Sequence, residues 1–240
     1  MIRAAVIVSA LLLVAAAEPA KQPNIVLFIT DQQTRSTISA YGNNRTHTPN
    51  MDSLAAEGVT FRNSYCASPV CSPGRAAILT GQMPHTTGVN VNDFPVRDGI
   101  PNVGEVFRDA GYETAWSGKW NLPESFPKGA DAIPGFLNLD WQRQSYRDLG
   151  ASMDENITDA AVRYLSEDRT QPFFLGVSLY NPHDICFWIM DQHHDALPGV
   201  PEDAVLPELP DNFESDPLES EFVRWLRLQD AVVGGNDPYV

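Results

Sequence analysis

The chain has 240 residues, 43% of them hydrophobic, which is enough for one globular domain with a substantial core. Its formal net charge of −15 argues against nucleic acid as a partner, because binding to phosphate backbones requires positive charge. The acidity does not identify a substrate, since charge outside a pocket mainly supports solubility.

The first 20 residues are typical of a secretory signal peptide. Arg3 precedes an uncharged run over residues 4–17, and a short stretch suited to cleavage follows. The run is shorter than the roughly 20 apolar residues that a spanning helix needs, so we expect no membrane span after cleavage. We therefore predict an exported protein, periplasmic or extracellular, whose catalytic domain occupies residues 21–240.

Apolar runs and amphipathic segments alternate along the rest of the chain. Short β-branched runs indicate strands, and periodic segments between capping residues indicate helices. This alternation predicts an α/β fold with a mostly parallel sheet and helices on both faces. The predicted elements are a strand at 24–30, helices at 48–58, 72–81 and 102–111 (the last capped by Gly111), a strand at 112–119, a helix at 157–168 and a strand at 172–180.

The character of the sequence changes after Pro182. Residues 191–220 are rich in Pro, Asp and Glu and lack periodicity, which predicts a surface loop. The segment 221–233 predicts the start of one more helix. Because no strand follows it, we expect the fold to be truncated at the C-terminus.

Chemically capable side chains follow three of the predicted strands. Asp31 and Gln32 come after the first strand and offer oxygen donors suited to Ca²⁺ or Mg²⁺. Lys119 ends the second strand, and His183 follows the third. Since ligands bind at the carboxyl ends of parallel strands, we expect these groups to converge on one edge of the sheet.

The helix that begins near Cys71 is expected to start at the same edge. Its unpaired N–H groups and positive dipole end favour anions. Arg75, one turn into the helix, adds a planar fork of donors. A metal, an arginine, a lysine and a histidine around one point predict a site for a tetrahedral oxyanion, in either a phosphate or a sulfate ester.

Four stretches, taken in order, and the core of the second resemble the sulfatase family. They are "PNIVLFITDQQ", "TPNMDSLAAEGVTFRNSYCASPVCSPGRAAILTG", its core "CSPGR", "SGKW" and "NPHD". The core matches the family's Cys-x-Pro-x-Arg sequence, and the resemblance extends over residues 23–184. It implies an alkaline-phosphatase-like α/β fold and hydrolysis of sulfate esters, with a sulfated small molecule or glycan as the expected substrate.

The resemblance also implies a covalent mechanism at Cys71. A maturation enzyme would oxidise Cys71 to Cα-formylglycine, whose hydrate attacks sulfur and expels the alcohol before its second hydroxyl group ejects sulfate. Asp31 and Gln32, together with residue 71, would bind a divalent cation, Ca²⁺ in preference to Mg²⁺. The family's later metal-binding pair and second lysine have no counterpart in the sequence, so we expect a weak metal site.

The remaining matched residues would act on the substrate. Arg75 would steady the hydrate, and Lys119 and His183 would bind the sulfate and the leaving oxygen. Asn121 stands where the family usually has His; its amide can bind the sulfate or a substrate hydroxyl but cannot exchange a proton near neutral pH. Acid–base catalysis would then fall to His183. Gly74 replaces a Ser that many members have.

Three cysteines are an odd number for an exported protein, which allows one disulfide and one free thiol. Cys71 is the candidate for the free thiol. We expect Cys66 and Cys186 to be small buried residues, with a role in the pocket left open for Cys186 because it lies close to His183 in sequence.

Two other functions are compatible with these motifs. A phosphoesterase or phosphonate hydrolase of the same superfamily would use the same nucleophile. A non-catalytic, truncated protein would bind sulfated glycans without turning them over. Taken singly, Asp31, Arg75, Lys119 and His183 would be ordinary turn or surface residues, but their occurrence together with the cysteine motif favours the hydrolase.

Overall fold

A computed structural model describes residues 22–122, 133–139 and 151–186, with the single residues 220, 221 and 225. The predicted signal peptide lies outside these residues, as do the predicted loop and last helix apart from those three positions. Every helix in the described ranges is too short or too polar for a transmembrane span.

Four parallel strands form the sheet in this part of the chain. They are ordered β1-β4-β2-β3, so β4 lies between β1 and β2. All three neighbouring pairs are parallel, which confirms the predicted sheet. The strands are β1 (Ile25–Asp31), β2 (Glu113–Gly118), β3 (Leu137–Asn138) and β4 (Phe173–Pro182).

All four predicted helices within the described ranges are present, with one short addition. The helix predicted from residue 157 begins earlier, at Ala151, because its first turn contains too few apolar residues to show the period. The helices are α1 (Pro49–Glu57), α2 (Cys71–Thr80), α3 (Pro84–Thr87), α4 (Val103–Asp109) and α5 (Ala151–Leu165).

Two details of the sequence prediction were wrong or missing. The C-cap of α4 is Ala110, and Gly111 follows it with φ of 89°, in the left-handed conformation that suits glycine just beyond a helix end. The strand β3 was not predicted, because a strand of two residues shows no periodicity.

Helices cover both faces of the sheet, as predicted. On one face, α2 and α4 pack against a core that contains Trp116 and Phe174. On the other face, α5 contributes Ile157 to a second core that contains Leu175. Because successive strand residues point to opposite faces, Phe174 and Leu175 belong to different cores.

The end of β2 lies very close to β4 at Gly118. Its φ is 97°, and a Cβ built there would lie 2.0 Å from the carbonyl oxygen of Ser178. The Lys119 N–H donates to that same oxygen at 2.8 Å. Glycine therefore allows the turn that brings Lys119 against the end of β4.

We expect Gly118→Ala to destabilise the protein more than Gly111→Ala. Gly111 has a similar φ but no atom within 4 Å of a built Cβ, so its replacement adds only conformational strain, of the order of 1–3 kcal/mol. Gly118→Ala adds a clash with backbone that cannot move cheaply. Urea unfolding of both variants measures the difference. Equal losses would show that the contact with Ser178 does not restrain β2.

Candidate functional site

The carboxyl ends of β1, β2 and β4 meet beside the N-terminus of α2. Asp31 is the last residue of β1, Lys119 follows β2, and His183 follows β4. Cys71 is the first residue of α2. One potential ligand atom each from Asp31, Cys71 and His183 lies within 4.8 Å of the other two. The structure thus brings the residues selected from the sequence to one edge of the sheet.

Asp31 lies between two buried cations. Lys119 Nζ donates a hydrogen bond to Asp31 Oδ2, and Arg75 Nη2 lies 3.7 Å from Asp31 Oδ1. The side chains of Lys119 and Arg75 are only 4% and 6% exposed. One carboxylate between two poorly hydrated cations leaves an excess of positive charge, which favours an incoming anion.

Arg75 is held in place by two of the strand ends. Its Nη1 donates to the Lys119 carbonyl oxygen at 2.7 Å and to Ser178 Oγ at 2.8 Å. Burial lowers the pKa of the Arg75 guanidinium, while the negative charge of Asp31 acts in the opposite direction. The group stays cationic, because arginine does not lose its proton in proteins under ordinary conditions.

Two residues of β4 contribute to the site although sequence analysis did not select them. Ser178 accepts the hydrogen bond from Arg75. Tyr180 places its ring centroid 5.4 Å from Lys119 Nζ, within the range of a cation–π interaction. Both lie in the apolar run that predicted the strand, where the pattern gives no separate signal for a hydroxyl group.

The first turn of α2 presents Cys71 at the positive end of a ten-residue helix. Its N-cap, Val70, provides no side-chain hydrogen bond to the first turn. The Ser72 N–H instead donates to Asn92 Oδ1 at 2.9 Å. Asn92 therefore fixes the helix start next to Cys71, a contact that no motif in the sequence indicated.

The two departures from the sulfatase-like motif either lie in the first turns of α2 or are bonded to them. Asn121 Nδ2 donates to Ser72 Oγ at 2.9 Å, and Ser72 Oγ donates to the Asn121 carbonyl oxygen at 2.6 Å. Asn121 also has φ of 62°, which Asn adopts more readily than most residues. A Cβ at Gly74 would lie 3.1 Å from the Ser68 carbonyl oxygen. Asn121 is thus attached to the residue after Cys71, and its contact with substrate stays a prediction.

His183 is oriented by its neighbour in sequence. His183 Nδ1 lies 2.8 Å from Asp184 Oδ1, and Asp184 is fully buried. When Asp184 is ionised, this bond places the hydrogen on Nδ1 and the lone pair on Nε2. Sequence analysis did not select Asp184, although its position in "NPHD" was an available signal.

Asp31 and Gln32 were predicted to hold a divalent cation, and their donor types fit one. Carboxylate and amide oxygens are ligands that Ca²⁺ prefers. Asp31 lies within reach of residue 71, and Gln32 follows with φ of 60° and an exposed side chain. Two residues supply fewer oxygens than the roughly six to eight that Ca²⁺ binds, so in the described residues they form part of a coordination sphere.

The prediction that Cys66 is buried was wrong. It lies in the segment 58–67 between α1 and α2, where every residue is exposed. Cys71 is half-buried and is not joined to Cys66. Cys186 is also half-buried, just after the short 3₁₀ helix His183–Ile185.

Known proteins are similar to this chain in sequence. The family model described as Sulfatase matches residues 23–204. The Delta 4,5-hexuronate-2-O-sulfatase of Bacteroides thetaiotaomicron is 33% identical over 213 residues, which is 83% of this chain and 42% of that protein. The N-acetylglucosamine-6-O-sulfatase of the same bacterium is 32% identical over 176 residues, 69% of this chain and 32% of that protein.

A solved structure shows the same relationship. The structure of a 2-O GAG sulfatase matches with a TM-score of 0.67 and 30% sequence identity, covering 80% of this chain and 42% of the other. The chain therefore spans less than half the length of the relatives described here.

We expect Arg75→Met to destabilise the protein by about 3–5 kcal/mol, the usual cost of removing one partner from a buried ion pair. The variant leaves Asp31 and Ser178 without the guanidinium. Arg163→Met, at an exposed position on α5, is the control and should stay within about 0.5 kcal/mol of wild type. Urea unfolding gives both values, and a loss for Arg75→Met as small as that of the control would contradict the structural role of Arg75.

Proposed function

The chain belongs to the sulfatase family, and we propose that it acts as a sulfuric ester hydrolase on a sulfated carbohydrate. The observation that carries the proposal is the position of Cys71, close to Asp31 and His183 and beside two buried cations. The names of the two curated relatives, a hexuronate-2-O-sulfatase and an N-acetylglucosamine-6-O-sulfatase, support a sugar sulfate as the substrate class.

Cys71 is proposed to be converted to Cα-formylglycine by a maturation enzyme that recognises Cys-x-Pro-x-Arg. In the structure, Cys71 Sγ marks the place of the oxygens that the converted residue would bear. Once formed, the formylglycine supplies a hydrated aldehyde, whose hydroxyl group is the nucleophile toward sulfur. The position of residue 71 at the first turn of α2 supports this role, because the helix N-terminus stabilises negative charge there.

Lys119 and Arg75 are proposed to hold the anionic groups during the reaction. Both are cationic donors that are almost completely withdrawn from water, and a fixed charge acts more strongly where water is excluded. Arg75 is oriented by Lys119 and Ser178, so its guanidinium does not need to reorganise when substrate binds. Lys119 is the residue proposed to bind the sulfate oxygens, and Arg75 the one proposed to steady the hydrate.

The imidazolium form of His183 is proposed to donate its Nε2 proton to the leaving alcohol oxygen, which leaves the neutral ring with its hydrogen on Nδ1. Its bond to buried Asp184 fixes the ring and leaves Nε2 as the atom that exchanges the proton. Asn121 cannot replace it in this role, because an amide does not exchange protons near neutral pH. Asn121 is instead proposed to hydrogen-bond the sulfate or a substrate hydroxyl while it stays attached to Ser72.

Asp31 and Gln32 are proposed to hold Ca²⁺ in preference to Mg²⁺. The cation would add positive charge at the sulfate and lower the energy of the anionic form of the nucleophile. Asp31 has a second function that needs no metal, because it neutralises part of the charge of Lys119 and Arg75. We propose that the protein is exported and acts on sulfated glycans in the periplasm or outside the cell. Its net charge of −15 does not favour nucleic acid as a binding partner.

We expect mass spectrometry of the tryptic peptide 63–75 to show an aldehyde in place of the thiol at Cys71 alone. The protein should come from a host that matures sulfatases. Cys66 lies in the same peptide and is exposed, yet it has no Pro and Arg at the required spacing, so it serves as the internal control. If both residues stay thiols while a known sulfatase in the same cells is converted, the formylglycine mechanism is wrong for this chain.

We expect turnover of an aryl sulfate in the presence of Ca²⁺ to exceed turnover of the matched aryl phosphate. Cys71→Ala should reduce sulfate hydrolysis by roughly 10³-fold or more, because it removes the nucleophile. Cys66→Ala, at an exposed position, should leave the rate unchanged. Faster hydrolysis of the phosphate would favour a phosphoesterase. Binding of a sulfated sugar without turnover, unchanged by Ca²⁺, would favour a non-catalytic protein.

A further inference from the structure

The carboxyl end of β4 departs from regular pairing just before His183. Ile29 of β1 pairs with Ser178, but Asp31, two residues later, pairs with Pro182, four residues later on β4. On the other side, the ladder with β2 reaches Gly118 opposite Ser178. Residues 179–181 therefore form a bulge between Ser178 and Pro182, the two residues of β4 that pair with β1 on either side of it. Bulges of this kind redirect the residues that follow, and they are common next to active sites.

Asp154, on the first turns of α5, accepts the hydrogen-bond donors of this bulge. Its Oδ1 accepts from the Tyr180 N–H at 2.7 Å, and its Oδ2 accepts from the Asn181 N–H at 3.0 Å. The Asn181 side chain donates to the same Oδ2, also at 3.0 Å. Three hydrogen bonds to one carboxylate fix the position and the direction of the backbone at Tyr180 and Asn181.

The bulge carries one group of the candidate site and leads directly into another. The Tyr180 ring lies 5.4 Å from Lys119 Nζ. His183 comes two residues after Asn181 and lies within 4.8 Å of Asp31 and Cys71, measured between their potential ligand atoms. The Asp154 carboxylate is thus bonded to the segment that leads directly into His183.

We propose that Asp154 is a positioning residue of the site, which holds the β4 bulge so that His183 meets residue 71. This rests on the proposed function for its catalytic consequence, but the positioning itself does not depend on turnover. A role in helix α5 alone is the competing explanation, because an acidic residue near a helix N-terminus stabilises the helix. Glu155, exposed and one residue further along α5, carries the same charge without contacting the bulge through any hydrogen bond in the described part of the chain, so it separates the two explanations.

The first test is NMR of the His183 imidazole in the full chain, with His183→Gln used to assign its signals. We expect Asp154→Asn to shift or split the His183 signals. The amide NH₂ group of the new side chain would face at least one of the three N–H groups that the carboxylate now accepts, and that hydrogen bond would be lost. Glu155→Gln should leave them unchanged. Unchanged His183 signals in Asp154→Asn, with the protein folded by circular dichroism, would overturn the proposal.

The second test measures aryl sulfate kinetics on matured protein. We expect Asp154→Asn to lower kcat by about 10- to 100-fold with KM nearly unchanged, as when a residue that orients a catalytic group is altered. Glu155→Gln should match wild type in both constants. An equal loss in the two variants would assign the effect to the helix and overturn the proposal. If the wild type shows no turnover, the proposed function fails, and the NMR result still decides the role of Asp154.

A third variant tests the proposal in case Asp154→Asn does not fold. Asn181→Ala removes only the side-chain bond to Asp154 and leaves the two backbone bonds. If Asp154→Asn does not fold, Asn181→Ala should shift the His183 signals in a smaller but measurable way. The absence of any shift in Asn181→Ala would then overturn the proposal.

Discussion

One buried guanidinium connects the parts of this site. Arg75 extends from the helix that begins with Cys71 to Asp31 of β1, to the backbone after β2 and to Ser178 of β4. Each contact alone would be an ordinary hydrogen bond or ion pair. Together they fix the helix relative to three parallel strands, so the distance between residue 71 and the strand ends is set by one side chain that is almost completely withdrawn from water. The remaining groups of the site are arranged around it.

The sheet order explains why a few short contacts are enough. Because β4 lies between β1 and β2, its carboxyl end is adjacent to both Asp31 and Lys119. Gly118 lets β2 end against the Ser178 carbonyl, and Asp154 holds the bulge that follows on β4. Charged groups from distant parts of the sequence are therefore positioned by the strand ends that carry them. Their side chains need little reorganisation and have few alternative positions.

The sequence predicted those parts of the site that depend on local pattern. Strand ends can be located from apolar runs, so the convergence of Asp31, Lys119 and His183 with the start of the Cys71 helix followed from topology alone. Ser178, Asn92 and Asp154 could not be found in this way. Each acts through a contact with a residue far away in sequence, and each occurs in a segment whose pattern is explained by a strand, a loop or a helix. Asn121 shows the same limit, since its bond to Ser72 depends on a left-handed backbone that the motif does not reveal.

The burial of the cysteine motif bears on whether Cys71 would be modified before or after the protein folds. Ser72 and Pro73 are fully buried, and the side chain of Arg75 is only 6% exposed, so the folded protein hides these residues after Cys71. An enzyme that recognises Cys-x-Pro-x-Arg would need the proline and the arginine in an extended, accessible chain. Conversion of Cys71 would then have to come before α2 packs against the sheet, during synthesis or export. The modification would no longer be possible after folding, and a chain that folded first would keep its thiol.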